Sequence, residues 1–289
     1  MEAEQKLKLF RDKYITNKLL AKFVNKAYSI CFSSYAAEFF KYHYCLWRNK
    51  PYFGSFLYAS LGDPARRAYM DKLVEMLSAQ GNYLRILEVG SWAGGSAILW
   101  AKALARHNAG KGIVFCVDPW KPYFPPGETG ENPHIYKIMD AISKTGDIAD
   151  LFHHNVNSSG FGGKVISVRG FADDCLPVLK NEQFDIVYID GDHSYRAVLK
   201  DLNNAKGLCR ENGILCGDDL ELQYTGANKQ AIELNLDKDF ATDPDSGTGF
   251  HPGVTKAVWD VFGQEVSCYG GFWAMRKSGD KFTSITIPG

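Results

Sequence analysis

Acidic side chains follow two apolar runs in the second half of the chain. The run Phe184–Ile189 is followed directly by Asp190, and the run Ile214–Gly217 is followed by Asp218 and Asp219. Such apolar runs with β-branched residues predict buried strands of a parallel sheet. Because ligands of open α/β sheets bind beyond the carboxyl ends of the strands, these three carboxylates fall where a binding site is expected.

The segment between these two runs, residues 195–209, carries apolar side chains at helical spacing. Strand, helix and strand together predict one right-handed crossover unit. If the two strands are neighbours, their ends lie about 4.8 Å apart. Three ionised carboxylates at that separation repel one another, and a hard divalent cation such as Mg²⁺, which prefers oxygen ligands, would relieve the repulsion. The pattern therefore indicates metal-assisted chemistry.

A histidine, His193, lies three residues after the first of these aspartates. A neutral imidazole near pH 7 is suited to take a proton from a hydroxyl group, so His193 is the candidate general base. The alternatives are structural: His193 caps a helix or binds a loop carbonyl, and the three aspartates cap helices and turns. We expect Asp192 to cap the helix that begins near Ser194.

A glycine-rich loop, Leu87–Ser96, joins another predicted strand to its helix. Gly90 and Gly94 would let a ligand approach the backbone, and the helix N-terminus offers free N–H groups. The spacing lacks the second glycine of the dinucleotide fingerprint, which Trp92 replaces. Asp118 ends the next strand, where an acidic residue can accept hydrogen bonds from ribose hydroxyls. A purely structural glycine-rich turn is the alternative.

Strands and helices alternate from residue 83 onward, which predicts a mainly parallel sheet with helices on both faces. The other strands are expected at Arg85–Val89, Ile113–Val117 and Val165–Arg169, and the helices at Ser96–Arg106, His134–His153 and Ser194–Arg210. After a short helix at Val254–Phe262, the runs Val266–Tyr269 and Phe272–Lys277 around Gly270-Gly271 predict an antiparallel hairpin. Two long irregular stretches, residues 119–133 and 221–252, are expected to border the site.

Residues 1–80 differ in pattern from residues 81–289, which indicates an N-terminal helical extension. Basic and apolar side chains interleave at helical spacing between residues 6 and 26. An aromatic-rich stretch follows at residues 28–58, and Asp63-Pro64 begins a helix that runs to Leu77. We expect the extension to form a lid over the substrate pocket or a contact in a homo-oligomer. A solvated face packed on the core and a membrane-surface role are the alternatives.

These motifs resemble those of the class I S-adenosylmethionine-dependent methyltransferases, over about residues 83–277. The segment Glu88-Val-Gly90-x-x-x-Gly94-x-Ser96 is similar to the cofactor loop of the metal-dependent O-methyltransferases of the catechol type. Caffeoyl-CoA enzymes and bacterial enzymes that methylate macrolide sugars belong to the same group. The resemblance implies a Rossmann-like methyltransferase fold: a doubly wound, seven-stranded, mainly parallel sheet with a C-terminal antiparallel hairpin.

The resemblance also assigns residues to roles. The cofactor S-adenosylmethionine would be bound by Glu88, Gly90, Ser91, Gly94, Ser96, Asp118, Phe171, Ala172 and Asp190. Mg²⁺ or another divalent cation would be held by Asp190, Asp218 and Asp219. The catalytic residues would be Asp190 and His193, and the catechol and caffeoyl-CoA types have lysine at the position of His193.

The implied reaction is Mg²⁺-dependent methyl transfer to a hydroxyl of a small molecule, namely a vicinal diol, a sugar or a catechol in natural product biosynthesis. A cephalosporin-hydroxylase-like metal enzyme on the same frame and a non-catalytic cofactor-binding protein are the alternatives. An NAD oxidoreductase is disfavoured by the spacing of Gly90 and Gly94 and by the terminal hairpin.

Composition limits the partners and the compartment. The 33 basic and 33 acidic residues balance, which argues against a protein that coats nucleic acid. The sequence contains no apolar run long enough to span a membrane, and its N-terminus lacks an apolar signal core. The seven cysteines form no Cys-x-x-Cys pair, which is typical of buried thiols in a reducing compartment. We therefore expect a cytoplasmic protein that acts on a small molecule.

Overall fold

The computed structural model describes residues 34–79, 81–121, 139, 144 and 146–288. The predicted basic helix between residues 6 and 26, most of the stretch at 119–133 and the start of the helix expected at His134–His153 lie outside these ranges.

The strands of the described chain form one large sheet and one small sheet. Their bounds are β1 Leu84–Val89, β2 Gly112–Asp118, β3 Val165–Arg169, β4 Phe184–Ile189, β5 Cys209–Leu220, β6 Ala241–Thr242, β7 Gly249–Phe250, β8 Ser267–Tyr269, β9 Gly271–Ser278 and β10 Lys281–Ser284. The large sheet has the order β10-β9-β5-β4-β1-β2-β3, and β8 also pairs with β9. Strands β1 to β5 are parallel to their neighbours among these five, β9 pairs antiparallel with β5, and β8 and β10 each pair antiparallel with β9.

The predicted fold class is confirmed, with one correction to the strand count. The described large sheet has eight strands where seven were expected. The extra strand is β10, which pairs with the second half of β9 through Lys281–Ser284. Its alternating but mostly polar sequence, Lys-Phe-Thr-Ser, gives little apolar signal, because only Phe282 of this strand is buried.

Helices cover both faces of the large sheet. Their bounds are α1 Ser34–Trp47, α2 Pro64–Ser78, α3 Gly95–His107, α4 Asp147–Ser158, α5 Ala172–Val178, α6 Tyr195–Leu208, α7 Lys229–Leu234 and α8 Pro252–Phe262, with short 3₁₀ turns at Ser55–Leu57 and Tyr224–Gly226. Within the described ranges, none of these helices combines the length and the apolar character that crossing a membrane requires.

Alternate residues of each central strand pack against different helix layers. Ile86 of β1 joins the core that α2, α3 and α4 cover, whereas the next residue, Leu87, joins the core under α5, α6 and α8. This follows from the two-residue period of a strand that is buried on both faces. Tyr52 and Leu57 from the N-terminal segment also belong to the first core, so this segment packs directly on the sheet.

Helix α2 begins where its sequence predicts. Asp63 is the N-cap, because its carboxylate accepts hydrogen bonds from the backbone N–H groups of Ala65 (2.7 Å) and Arg66 (3.0 Å). Pro64 occupies the first helical position, where its missing N–H costs nothing. The cap places Arg66 in the first turn, on the stripe that continues through the buried residues Met70 and Leu73.

The stretch 221–252, which was expected to be irregular, contains regular structure. It holds the 3₁₀ turn Tyr224–Gly226, helix α7 and the small antiparallel pair of β6 and β7. The buried Asp243 organises it, since its carboxylate accepts hydrogen bonds from the backbone N–H groups of Asn228 (2.7 Å), Asp245 (3.1 Å) and Ser246 (2.8 Å). These elements are short and held by one side chain, so they leave no periodic pattern in the sequence.

The buried side chain of Asn155 on α4 joins the N-terminal segment to the sheet domain. Its Oδ1 atom accepts a hydrogen bond from the backbone N–H of Tyr52 (2.7 Å), and its Nδ2 atom donates to the carbonyl oxygens of Tyr52 (2.9 Å) and Ala93 (2.9 Å). Ala93 lies in the loop after β1, so one side chain fixes two chain segments that approach the sheet edge.

We expect Asn155→Ala to lower the free energy of unfolding by about 1–3 kcal/mol, because the mutation leaves buried backbone groups unpaired. Urea unfolding followed by circular dichroism measures the change. Asn157→Ala on the same helix is the matched control, since its side chain is exposed and its effect should stay within about 0.5 kcal/mol. Equal effects of the two substitutions would contradict the structural role of Asn155.

Candidate active site

The carboxyl ends of β1, β2 and β4 are hydrogen-bonded to one another at one edge of the sheet. The N–H of Gly90 donates to the carbonyl of Val117 (3.0 Å), and the N–H of Asp190 donates to the carbonyl of Val89 (2.9 Å). Gly90 has a φ of 86°, and a Cβ atom there would lie 2.0 Å from the carbonyl oxygen of Asp190. Only glycine permits both this backbone conformation and this close approach.

Asp118 shapes the loop after β1. Its carboxylate accepts hydrogen bonds from the backbone N–H groups of Ser91 (2.8 Å), Trp92 (2.9 Å) and Trp120 (2.6 Å). Burial raises the pKa of Asp118, and these three N–H groups lower it in part. The Asp118 carboxylate therefore already binds backbone N–H groups of the loop. The expected contact between Asp118 and ribose hydroxyls stays a prediction.

A cavity of about 790 Å³ opens beside these loops. Most of the predicted cofactor residues line it, namely Gly90, Ser91, Ser96, Asp118, Phe171, Ala172 and Asp190. His193 and Asp219 line the same cavity, as do Tyr58, Ser60 and Arg66 from the N-terminal segment. The structure thus brings the glycine-rich loop and the candidate base to one space.

Glu88 lies behind the cavity wall rather than in its lining. The side chain is completely buried, and neither carboxylate oxygen has a hydrogen-bond partner among the described residues. Burial raises the pKa of Glu88 to about 7, although the nearby hydroxyls of Ser91 and Ser96 act in the opposite direction. An unpaired carboxylate next to a glycine-rich loop suits a cationic ligand such as S-adenosylmethionine, so these residues fit that cofactor.

The guanidinium group of Arg66 lies among the acidic residues at the ends of β4 and β5. Its Nη1 atom is 3.2 Å from Asp190 Oδ2 and also forms an ion pair with Asp218. The same atom donates to the hydroxyl of Tyr188 (3.3 Å), and this hydroxyl donates to Asp190 (2.9 Å). Burial raises the pKa of Asp218 to about 6, and the neighbouring Asp219 adds to the shift while Arg66 opposes it.

His193 is held by carboxylates at both ring nitrogens. Its Nε2 atom is 3.0 Å from Asp219 Oδ2, and its Nδ1 atom is 2.6 Å from Asp239 Oδ1. Burial opposes protonation of the imidazole, but Asp219 more than offsets it and raises the pKa of His193 to about 9. The effect is mutual. Burial disfavours the charged form of Asp219, but the neighbouring His193 holds the pKa of Asp219 below its usual range.

A second histidine lies beside His193. The ring centroids of His193 and His251 are 4.5 Å apart, and His251 Nδ1 is 3.0 Å from a carboxylate oxygen of Glu221. The stretch 221–252 therefore does border the site, as expected, and it supplies Glu221, Asp239 and His251 to it. None of these three residues is among the predicted site residues.

Arg66 is a further site residue that the sequence analysis did not predict. A signal for it exists, because Arg66, Met70, Leu73 and Leu77 follow the spacing of one helix face, and the last three are buried. A cation on the buried stripe of a helix needs an acidic partner in the core. The aspartates at the strand ends were available as that partner, but the pattern does not show which distant residues meet.

The three predicted metal ligands do not fit an open divalent cation site. Carboxylate oxygens suit Mg²⁺, yet Arg66 occupies the position beside Asp190 and Asp218, and His193 holds Asp219. A divalent cation among them would also be repelled by the guanidinium charge. No step below is therefore routed through a metal ion.

The model of the family described as "Methyltransferase domain" matches residues 87–220. These residues are similar to a methyltransferase domain. The predicted resemblance is thus confirmed at the level of this domain, and the match contains the glycine-rich loop, His193 and the three aspartates. Arg66, Asp239 and His251 lie outside the matched range.

One solved structure with a TM-score above 0.5 supports the fold, and two others are similar at lower scores. The O-methyltransferase NovP has a TM-score of 0.51 and 17% identity, over 74% of this chain and 80% of that chain. An O-methyltransferase from Bacillus cereus in complex with SAH has a TM-score of 0.47 and 18% identity, over 88% and 97% of the two chains. TomG from Streptomyces achromogenes, in complex with SAM, has a TM-score of 0.44 and 18% identity, over 75% and 91%. No curated protein sequence matches this chain.

We expect the imidazole of His193 to titrate with a midpoint near pH 9, because Asp219 stabilises the protonated ring. Nuclear magnetic resonance of the histidine side chains measures this midpoint, and His193→Gln identifies the signal. Asp219→Asn should move the midpoint toward the usual value of about 6.5.

Stability gives an independent readout of the same pair. Since the folded-state pKa is raised, the contribution of His193 to the unfolding free energy is complete below about pH 6.5 and is lost as the pH rises through the folded value. Asp237→Asn, at an exposed acid in the same stretch, is the matched control. A titration midpoint near pH 6.5 for the His193 imidazole of the wild-type protein would contradict the described ion pair with Asp219.

Proposed function

We propose that this protein transfers a methyl group from S-adenosylmethionine to a hydroxyl group of a small molecule, which makes it an O-methyltransferase. One observation carries the proposal: His193 and the glycine-rich loop at Gly90 line the same cavity, at adjacent strand ends. Positioning of a nucleophile close to an electrophilic carbon supplies a large part of the rate in such displacements. The match of residues 87–220 to a methyltransferase domain supports the same reaction class.

Different residues of the chain bind the cofactor and accept the proton. S-adenosylmethionine, when bound, supplies a sulfonium methyl group. The Gly90 loop, shaped by Asp118, binds the cofactor, and Phe171 and Ala172 form the wall assigned to the adenine. His193 accepts the proton of the acceptor hydroxyl as the oxygen–carbon bond forms and the carbon–sulfur bond breaks, which leaves S-adenosylhomocysteine as the second product.

His193 must lose both its contact with Asp219 and the proton that this contact stabilises before it can act as the base. Both ring nitrogens are engaged, Nε2 by Asp219 and Nδ1 by Asp239. Because Asp219 lines the cavity and Asp239 is not among the lining residues described, the acceptor hydroxyl would replace Asp219 at Nε2. Asp239 then keeps the ring oriented from the other side.

The polar edge of the cavity supports a substrate with neighbouring hydroxyls. Arg66, Asp190, Asp219 and His193 meet there, and apolar residues that include Trp92 and Phe171 also line the cavity. Two vicinal hydroxyl groups can donate to carboxylates at the polar edge while the ring that carries them packs on apolar residues. We therefore infer a vicinal diol, a sugar or a catechol of natural product biosynthesis as the acceptor.

Two further parts of the expected function remain proposals. A contact between copies of the chain through the N-terminal helices is supported by the exposed aromatic residues Phe40, Tyr44 and Trp47 on α1. A cytoplasmic location is supported by the six described cysteines, all of which are free. The Mg²⁺ dependence that the resemblance implies does not fit the ion pairs that Arg66 and His193 form with the three aspartates, and a chelator in the activity assay tests it.

We expect the protein to bind S-adenosylmethionine in titration calorimetry and to methylate at least one member of a panel of catechols, vicinal diols and sugars. His193→Gln should lower kcat by about 100-fold or more while cofactor affinity is retained, since only the proton acceptor is lost. His43→Gln, at an exposed position on α1, is the matched control.

The outcomes separate the alternatives. Failure to bind S-adenosylmethionine would refute the proposed function as a whole. Cofactor binding without methyl transfer to any acceptor would favour a cofactor-binding protein or a different reaction on the same frame. Full turnover by His193→Gln would remove the base assignment and leave the rest.

A further inference from the structure

Arg66 is placed at the carboxylate cluster by its own helix. The Asp63 cap fixes the first turn of α2, and the buried stripe through Met70 and Leu73 holds that face of the helix against the sheet. The Arg66 side chain is only 17% exposed. It is therefore a built-in component of the core rather than a surface cation that happens to reach the site.

The turn before α2 also leaves room for the guanidinium group. At Gly62, a Cβ atom would lie 2.1 Å from Arg66 Nη2 and 2.5 Å from Arg66 Nε. The backbone of this glycine has a φ of 70°, a conformation that residues with side chains rarely adopt. Gly62, directly before Asp63, thus leaves space for the Arg66 side chain, and the Asp63 cap places Arg66 in the first turn of α2.

The contacts of Arg66 coincide with two of the three positions that the resemblance assigns to a metal ion. Nη1 binds Asp190 and Asp218 together, and the Tyr188 hydroxyl completes the network. Among the described residues, Asp190, His193 and Asp219 form a set whose ligand atoms all lie within 4.8 Å of one another, but no such set contains Asp218. The three predicted metal ligands therefore pair with two cationic side chains of the chain: Asp190 and Asp218 pair with Arg66, and Asp219 pairs with His193.

We propose that Arg66 permanently takes the place of a divalent cation in this site, so that Asp190 and Asp218 are reserved for the guanidinium and bind no metal ion. A guanidinium keeps its charge at every physiological pH and presents several N–H donors in a fixed plane. It can donate hydrogen bonds to two carboxylates at once and still donate to a substrate oxygen. The activity consequence, methyl transfer that needs no metal, rests on the proposed function; the binding consequence does not.

The test measures Mn²⁺ binding to the full chain by electron paramagnetic resonance, with Mn²⁺ as a spectroscopic probe of a carboxylate site. Wild type should show no binding that depends on Asp218. Arg66→Met keeps an apolar stem but removes the charge, and it should bind Mn²⁺ at least about tenfold more tightly than wild type, because the repulsion is gone and two carboxylates are freed. Arg67→Met, one residue along the same helix, is the matched control and should behave as wild type.

The double variant Arg66→Met/Asp218→Asn locates the effect, and it should lose the added affinity. Mn²⁺ binding by wild type that Asp218→Asn abolishes would overturn the proposal, and this arm needs no Arg66 variant to fold. An Arg66→Met variant that folds but gains no affinity would overturn it as well.

A separate activity arm distinguishes the two proposals. Methyl transfer by wild type should be unchanged by a chelator, and loss of activity on chelation would overturn the role of Arg66 while leaving the methyl transfer established. Absence of all methyl transfer would instead refute the proposed function, and the Mn²⁺ measurements would still decide the role of Arg66.

Discussion

Charge compensation at the carboxyl edge of the sheet is the constraint on which the site depends. Carboxylates that end neighbouring buried strands need cationic partners, because water is largely excluded there. Asp190 and Asp218 form ion pairs with Arg66 of helix α2, and Asp219 pairs with His193 of the loop after β4. A buried ion pair adds little net stability, but loss of one partner leaves a costly unpaired charge. The N-terminal segment is therefore a part of the site.

The two acidic residues beside the glycine-rich loop, Asp118 and Glu88, differ in how their carboxylates are compensated. Asp118 is satisfied by three backbone N–H groups and serves to hold the loop, whereas Glu88 is fully buried and has no hydrogen-bond partner among the described residues. With a pKa near 7, Glu88 lies between its charge states at neutral pH. A cationic ligand in the cavity would favour the ionised form, so the two acids have separate roles although they end adjacent strands.

Local patterns explain what could be predicted from the sequence. Strands β1 to β5, the Gly90 loop and the terminal hairpin each leave a signal within a few residues, and all were found near their expected positions, although β5 extends beyond the predicted Ile214–Gly217 on both sides. The partner of Asp190 was not predictable in this way, because Arg66 lies 124 residues away in the chain and only the folded topology brings them together. Asp243 likewise organises its stretch through a few backbone bonds that no periodicity records.

The match to the methyltransferase domain leaves out two residues of this site, since Arg66 precedes residues 87–220 and Asp239 follows them. The central claim is that the chain supplies its own cation to Asp190 and Asp218. A crystal structure of the protein grown with Mn²⁺ and S-adenosylhomocysteine tests it most directly. The account predicts Arg66 against both carboxylates and no anomalous manganese peak between them; a manganese peak there, with the guanidinium displaced, would contradict it.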